Sequence, residues 1–486
     1  MTIHRGLHLG GREVPAAAGR TTTDLDPHTG EVHATVAAAG PVDVRRAVEA
    51  ADTAFGPWSA LPPSARRRVL LRAADVLESR SDEAVALMAA EVGAVAGWAR
   101  FNVGLAADVL REAAAAATRP VGDVLATEAA GRLSMAVREP MGVVAAFAPW
   151  NAPLILGTRA IAAPLAAGNT VVLKASEDAP LASGLFLAEV LSAAGLPDGV
   201  LDVVTNDRAD AAAVAEALIG DDRVRAVNFT GSTRVGRIVG ELAARHLKPA
   251  VLELGGKNAV LVLDDADLGH AVDAVAFGAF NNAGQICMSA DRALVHASVA
   301  EEFTARLAAK AAGLPHGDPT DPATVIGPLI DPASARRVAE LVADAVGHGA
   351  RVRAGGGPPD GAHHPATVLD RVTPAMRVHH EEAFGPVVTV IPVADDDEAV
   401  ALADDTDYGL TAGVLTGDAR RGLAVARRLR TGIVHVGDQT VDDEPQAPFG
   451  GVRASGYGRF GGRWGVEAFT TTRWLTLATE AARYPF

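Results

Sequence analysis

From Gly142 onward one pattern repeats, a short β-rich run followed by a longer run of helical character, and this repetition most narrows the folds open to the chain. The β-rich runs are "GVVAAFAPW", "NTVVLKAS", "GVLDVVT", "RAVNFTG" and "AVLELGG", with "LFLAEVLSAAG" and "DAAAVAEALIG" among the helical segments. Such βαβ alternation implies a parallel sheet covered on both faces. A second α/β series begins near "NAVLVL" (258–263), continues through Ala271–Phe280 and "RALVH", and extends toward residue 445. At 486 residues the chain exceeds what one core usually supports, so this series is expected to be a second domain.

Other segments stand apart from the alternation. Residues 64–95 place Val69, Ala73, Val76 and Leu77 at helical spacing, and Ser81 with Asp82 offers a second helix start, which predicts a helical hairpin. Residues 117–140 interrupt the first series with a strand-like stretch, and the tail "FTTTRWLTLATEAARYPF" ends in the same style. Appended strands of this kind often pair between subunits. "GGGPPDGAHHP" (355–365) reads as a surface loop.

A formal charge of −15 and the absence of a basic run argue against a nucleic-acid partner. One cysteine excludes an intramolecular disulfide and a thiolate-rich zinc site, and suits a reducing compartment. No secretory leader or membrane-length apolar segment is read, so a cytoplasmic location is expected.

The lone Cys287 lies in "NNAGQICMSADR", between a helical run and a strand-like one, where Gly284 supplies backbone freedom for a turn. A free cysteine is most often a small buried apolar residue, but these flanks are too polar for a plain core strand. A nucleophilic thiolate needs such a polar, partly open setting. In "APWNAPL" Asn151 follows a predicted strand, where its amide suits either a developing oxyanion or an Asx-type turn. In "LELGGKN" Glu253 ends an apolar strand, and burial there would raise its pKa into general-base range; an ordinary rim salt bridge is the alternative.

Taken together and in this order, "FAPWNAPL", "VVLKASEDAP", "NFTGSTRVG", "LELGGKN", "NNAGQICMS", "EEAFGPV" and "PFGGVRASGYGR" resemble the aldehyde dehydrogenase superfamily over nearly the whole chain. The resemblance implies an α/β fold with a Rossmann-type dinucleotide-binding domain (1–117 and 139–253), an α/β catalytic domain (254–450) and a small β oligomerisation arm (118–138 and 466–486). It implies a homo-oligomer, dimer or tetramer. Cys287 resembles the nucleophile, Asn151 with the Cys287 backbone N–H the oxyanion site, and Glu253 the base that activates water against a thioester. Members that pass the acyl group to coenzyme A generally lack this glutamate, so hydrolysis to the acid is expected.

No G-x-G-x-x-G follows the first strands, and the superfamily binds its dinucleotide without one. Gly231 and Ser232 end a strand and open a helix, placing backbone N–H groups toward a pyrophosphate; Ser232 also suits a simple N-cap. By resemblance Lys174 and Glu177 hold the adenine-side ribose, Glu382 the nicotinamide ribose and Phe384 the wall beside it, with Trp150, Val235 and Leu254 completing the set. A carboxylate at position 177 disfavours a 2′-phosphate, so NAD is expected ahead of NADP, with use of both left open. His379, His380 and Glu381 read as solvated loop side chains, so no metal is expected. Arg234, Gly437 and Ile286 depart from the commonest family pattern.

Ala152, Ile155 and Arg159 share one helix face after "PWN", and with Trp98, Ile286, Met288 and Phe449 they outline an apolar slot; each apolar residue alone equally suits core packing. Small Ala152 leaves room for a ring. "DQTVDDEPQAPFGGVRASGYGRFGG" resembles the benzaldehyde, vanillin and salicylaldehyde members more than the betaine aldehyde ones, which favours an aromatic aldehyde. The alternatives are an aliphatic or semialdehyde enzyme, with Arg159 gripping a carboxylate, and a catalytically silent structural relative.

Overall fold

Five strands of the first α/β series lie parallel in one sheet: across it run Ala250–Glu253, Val224–Thr230, Val143–Phe147, Thr170–Lys174 and Leu201–Val204. The computed structural model describes every residue except 1, 120, 129, 482 and 483. Val143–Phe147 and Thr170–Lys174 are buried at every position, as strands between two helical layers must be. The first strand in chain order is central, its successors run outward on one side, and the fourth and fifth lie on the other. Loops leaving the strands' carboxyl ends therefore diverge between Val143–Phe147 and Val224–Thr230, opening the crevice where doubly wound sheets receive ligands. The register Phe147↔Lys174 and Thr230↔Glu253 brings the segments carrying Trp150, Asn151, Lys174, Gly231 and Glu253 to that one edge.

The sheet is extended by Leu7–Leu9 and Arg12–Val14 at one end and Gly456–Tyr457 at the other, each joined antiparallel. The second series forms a seven-stranded sheet, in order Arg351–Ala354, Thr367–Asp370, Val387–Val393, Ala290–His296, Asn258–Val262, Thr411–Leu415 and Ile433–Val436. All of its pairs are parallel except the first. Each large sheet has its own apolar core, one around Val144, Leu173 and Ile161, the other around Leu261, Leu294 and Val388. In the third unit Thr470–Ala478 pairs antiparallel with Arg132–Pro140, which pairs with Gly122–Leu125. Of the expected arm, Pro120, Ala129, Ala482 and Arg483 lie outside the described residues.

Three local expectations need correction. The helix Pro63–Ser79 is followed by Ser81–Val92, but its principal packing partner is the longer Ala96–Ala116. His379 and His380 belong to a short helix, Arg377–His380, and not to a solvated loop: His379 is 1% exposed, and burial lowers its pKa to about 4, while His380 points outward. No group of ligating side chains arranged for a metal occurs among the described residues. In the glycine-rich stretch, Ala362 and His364 are buried, so only the earlier part behaves as a surface loop.

Candidate active site

The helix Leu268–Phe280 stops at a turn in which Asn282, Ala283 and Gly284 all have positive φ, and the chain then passes Cys287 on its way into Ala290–His296. Gly284 is obligatory at its place, since a Cβ there would stand 2.1 Å from the Gly385 carbonyl oxygen. Two non-glycine residues in left-handed conformation carry a steric cost, which persists only where surrounding contacts impose it. Here those contacts are amides. Asn282 Nδ2 donates to the Asn151 carbonyl at 3.0 Å, and Asn258 Nδ2 donates to the Cys287 and Ser289 carbonyls at 2.8 and 2.9 Å. The Gln285 carboxamide oxygen accepts from Ile330 N–H at 2.9 Å.

Asn151 meets the same loop from the other sheet: its side-chain Nδ2 donates to the Gln285 carbonyl at 2.9 Å, and its own carbonyl also accepts from the Trp98 indole at 3.1 Å. The amide is thus fixed two residues before Cys287 in sequence, 6% exposed and oriented from both ends.

Glu253 is 1% exposed and forms no rim salt bridge; its Oε1 has no hydrogen-bond partner among the described residues. Burial raises the carboxyl to about 7, opposed by a hydrogen bond with the Cys287 thiol and by the Arg159 charge, and assisted by Asp443. Burial and the neighbouring Glu253 carboxylate together push the Cys287 thiol well above its usual value. The thiol therefore sits against a carboxylate poised to take a proton near neutral pH.

Cys287 opens into a narrow cavity lined by Asn151 and by all seven slot residues, Trp98, Ala152, Ile155, Arg159, Ile286, Met288 and Phe449. Ala152 immediately precedes the helix Pro153–Ala167, which carries Ile155 and Arg159 on the face toward the cavity. Arg159 forms a buried ion pair with Asp443, and its guanidinium lies 4.2 Å from the Phe449 ring centroid.

Nearer the crevice, Glu382 accepts a hydrogen bond from Gly256 N–H at 3.0 Å and is raised by burial to about 8. A Cβ on Gly255 would come within 2.3 Å of Glu382 Oε2, so this glycine is what admits the carboxylate. Trp150 and Phe384 meet edge to face at 5.7 Å, with Phe384 at φ 41°. Lys174, buried at its strand end, is paired with Glu177, and Asn206 Nδ2 donates to the same carboxylate at 3.0 Å. Burial lowers Lys174; burial would raise Glu177, but the Lys174 charge and these hydrogen bonds hold it below the usual range. Ser232 caps the helix Thr233–Arg245, accepting from Val235 N–H at 3.4 Å, and Leu254 packs over Gly236 in that helix. The two expected groups accordingly stand apart: Cys287, Glu253 and Asn151 with the cavity, and Lys174, Glu177, Gly231, Ser232, Val235 and Leu254 along the carboxyl edge of the first sheet, with Trp150, Glu382 and Phe384 between.

Sequence reasoning passed over Asn258, Asn282, Gln285 and Asp443. The density of carboxamides around Cys287 was the available signal for the first three. Asp443 is 284 positions from its partner and carried none.

The aldehyde dehydrogenase family signature matches residues 14–475. A vanillin dehydrogenase from Pseudomonas sp. strain HR199 is 53% identical over 483 residues, covering 99% of this chain and 100% of that protein. The crystal structure of a salicylaldehyde dehydrogenase from Pseudomonas putida G7, complexed with salicylaldehyde, superposes with a TM-score of 0.97 at 43% identity, covering 100% of both chains. PnpE in complex with nicotinamide adenine dinucleotide superposes with a TM-score of 0.95 at 37% identity, covering 99% of both chains. The chain belongs to the aldehyde dehydrogenase family.

Proposed function

We propose that the protein oxidises an aromatic aldehyde to its carboxylic acid with NAD, through a thiohemiacetal and then a thioester on Cys287. The observation that carries this reading is the cavity that Cys287 and Asn151 line together with Trp98, Phe101 and Phe449, with Glu253 hydrogen-bonded to the Cys287 thiol. Likeness to vanillin and salicylaldehyde dehydrogenases across the full length supports the aromatic class.

The Cys287 thiol passes its proton to Glu253 as sulfur attacks the aldehyde carbon. The Asn151 amide and the Cys287 backbone N–H take up the charge that develops on oxygen, fixed donors that need no reorganisation. The dinucleotide, when bound, supplies the hydride acceptor that turns the thiohemiacetal into a thioester. Glu253, after releasing the thiol proton to solvent, draws a proton from water as the water oxygen attacks the thioester; the carbon–sulfur bond breaks, the acid leaves, and the Cys287 sulfur takes that proton back from Glu253 as the thiol.

The residues present fit a dinucleotide. A capped helix start follows the fourth parallel strand, a lysine–carboxylate pair closes the second, and Gly255 leaves room for Glu382. Lys174 and Glu177 would hold the adenine-side ribose; Gly231, Ser232, Val235 and Leu254 the pyrophosphate and its surroundings; Trp150, Glu382 and Phe384 the nicotinamide half.

The division at 1–117 with 139–253, 254–450 and 118–138 with 466–486 is retained as the domain reading, and separate sheets support it, although Gly456–Tyr457 returns to the first sheet from outside these ranges. Exposed Val124, Trp474 and Leu477 on the third sheet support a homo-oligomer formed through the arm. Among the described residues no helix is long and apolar enough to cross a membrane, and the lone thiol suits the reducing cytoplasm.

The test is NADH or NADPH formation across a panel of aldehydes. Turnover of benzaldehyde with NAD is expected; strong preference for succinic semialdehyde would overturn the substrate assignment, and no turnover in protein that binds NAD would favour a silent relative.

A further inference from the structure

The cavity beside Cys287 holds a buried ion pair that the chemistry above does not use. The side chains of Arg159 and Asp443 are 6% and 7% exposed, and both line the cavity wall. Asp443 Oδ2 takes the Arg159 guanidinium, whereas Asp443 Oδ1 is buried without a hydrogen-bond partner among the described residues. An ionised carboxylate only accepts, so this unpartnered oxygen, on a side chain that lines the cavity, is available to a donor from whatever fills it. Arg159 is committed on two sides, to Asp443 and to the face of Phe449. The remaining charged side chains near the cavity, Asp442 and Glu253, are both acidic.

Building on the aromatic-aldehyde reading, we propose that the Arg159–Asp443 pair selects the substrate: Asp443 Oδ1 accepts a hydrogen bond from a hydroxyl on the aromatic ring, and the pairing denies Arg159 to substrate carboxylates. The preferred substrates are hydroxylated benzaldehydes. An aldehyde carrying a carboxylate meets Asp443 and Asp442, with Glu253 beside Cys287, in a cavity whose lining cation is already neutralised, and is refused.

The experiment compares kcat/KM with saturating NAD for benzaldehyde, each hydroxybenzaldehyde isomer, the matching methyl ethers and succinic semialdehyde. At least one hydroxyl isomer is expected to exceed its methyl ether by roughly tenfold or more, the discrimination of a site built to bind a hydroxyl. In Asp443→Ala that ratio falls toward one, and succinic semialdehyde gains on benzaldehyde because Arg159 is released. The double variant Arg159→Met/Asp443→Leu, which leaves no unpaired buried charge, loses the ratio without that gain. A wild-type enzyme that treats hydroxyl and methyl ether alike overturns the proposal even if neither variant folds, as does a ratio that survives both substitutions. Turnover of the aromatic panel by the wild type separates the two readings: no turnover with any of the benzaldehydes defeats the aromatic assignment, whereas turnover without hydroxyl preference defeats only the role of the pair.

Discussion

Replacing Glu253 with glutamine tests the water-activating step quantitatively. Burial holds the carboxyl at about 7, so the fraction in basic form rises steeply across neutrality. With that value, about one-eleventh is ionised at pH 6 and about ten-elevenths at pH 8, giving a roughly tenfold rise in any step that needs the carboxylate. Acylation of Cys287 removes the thiol hydrogen bond that lowers Glu253, so the value governing thioester hydrolysis lies at about 7 or above. Stopped-flow NADH absorbance resolves the phases. Wild-type steady-state turnover should rise with pH through this window. Glu253→Gln should give a slowed first turnover of at most one NADH per site, then a hydrolytic rate lower by roughly 10²–10⁴, flat across the same window. Unchanged turnover in the variant, or a wild-type profile flat from pH 6 to 8 when hydrolysis limits the rate, would refute this reasoning.

Four further outcomes are expected. Asn151→Ala should lower kcat by roughly 10²–10³ with a smaller change in aldehyde KM, measured in steady state at saturating NAD. Gly255→Ala places a methyl group 2.3 Å from Glu382 Oε2 and should displace that carboxylate, raising the KM for NAD about tenfold while a coarse circular dichroism spectrum stays native. The folded-state pKa of Glu253 lies above its unfolded value, so its favourable contribution is complete below about pH 4.5 and lost as pH rises through about 7. Glu253→Gln should therefore gain stability relative to wild type by roughly 1–3 kcal/mol between pH 5 and 9 in urea unfolding. Trp474→Asp, on the exposed face of the arm sheet, should shift the mass found by light scattering toward the monomer.

The alternating architecture was legible because strands buried on both faces need continuous apolar runs, and Val143–Phe147 and Asn258–Val262 have them. The Cys287 turn was legible from its polar flanks and Gly284. That Asn282 and Ala283 also adopt left-handed conformations was not, because tertiary amide contacts impose a state their local preferences oppose. The seven slot residues reach one cavity because helix periodicity and motif position are local properties. Asp443 was hidden for the converse reason: an ion pair joining distant segments leaves no spacing to read. Gly437 is a departure that structure explains, since its φ of 88° suits glycine, with asparagine the other residue that tolerates such a backbone.

In the proposed reaction the sulfur of Cys287 carries the acyl group. Glu253→Gln protein mixed with benzaldehyde and NAD, quenched in acid and digested, should yield the peptide containing Cys287 heavier by one benzoyl group, in an amount matching the NADH formed. An unmodified Cys287 peptide beside stoichiometric NADH, or sustained aldehyde oxidation by Cys287→Ala, would show that the acyl group is not carried on this sulfur.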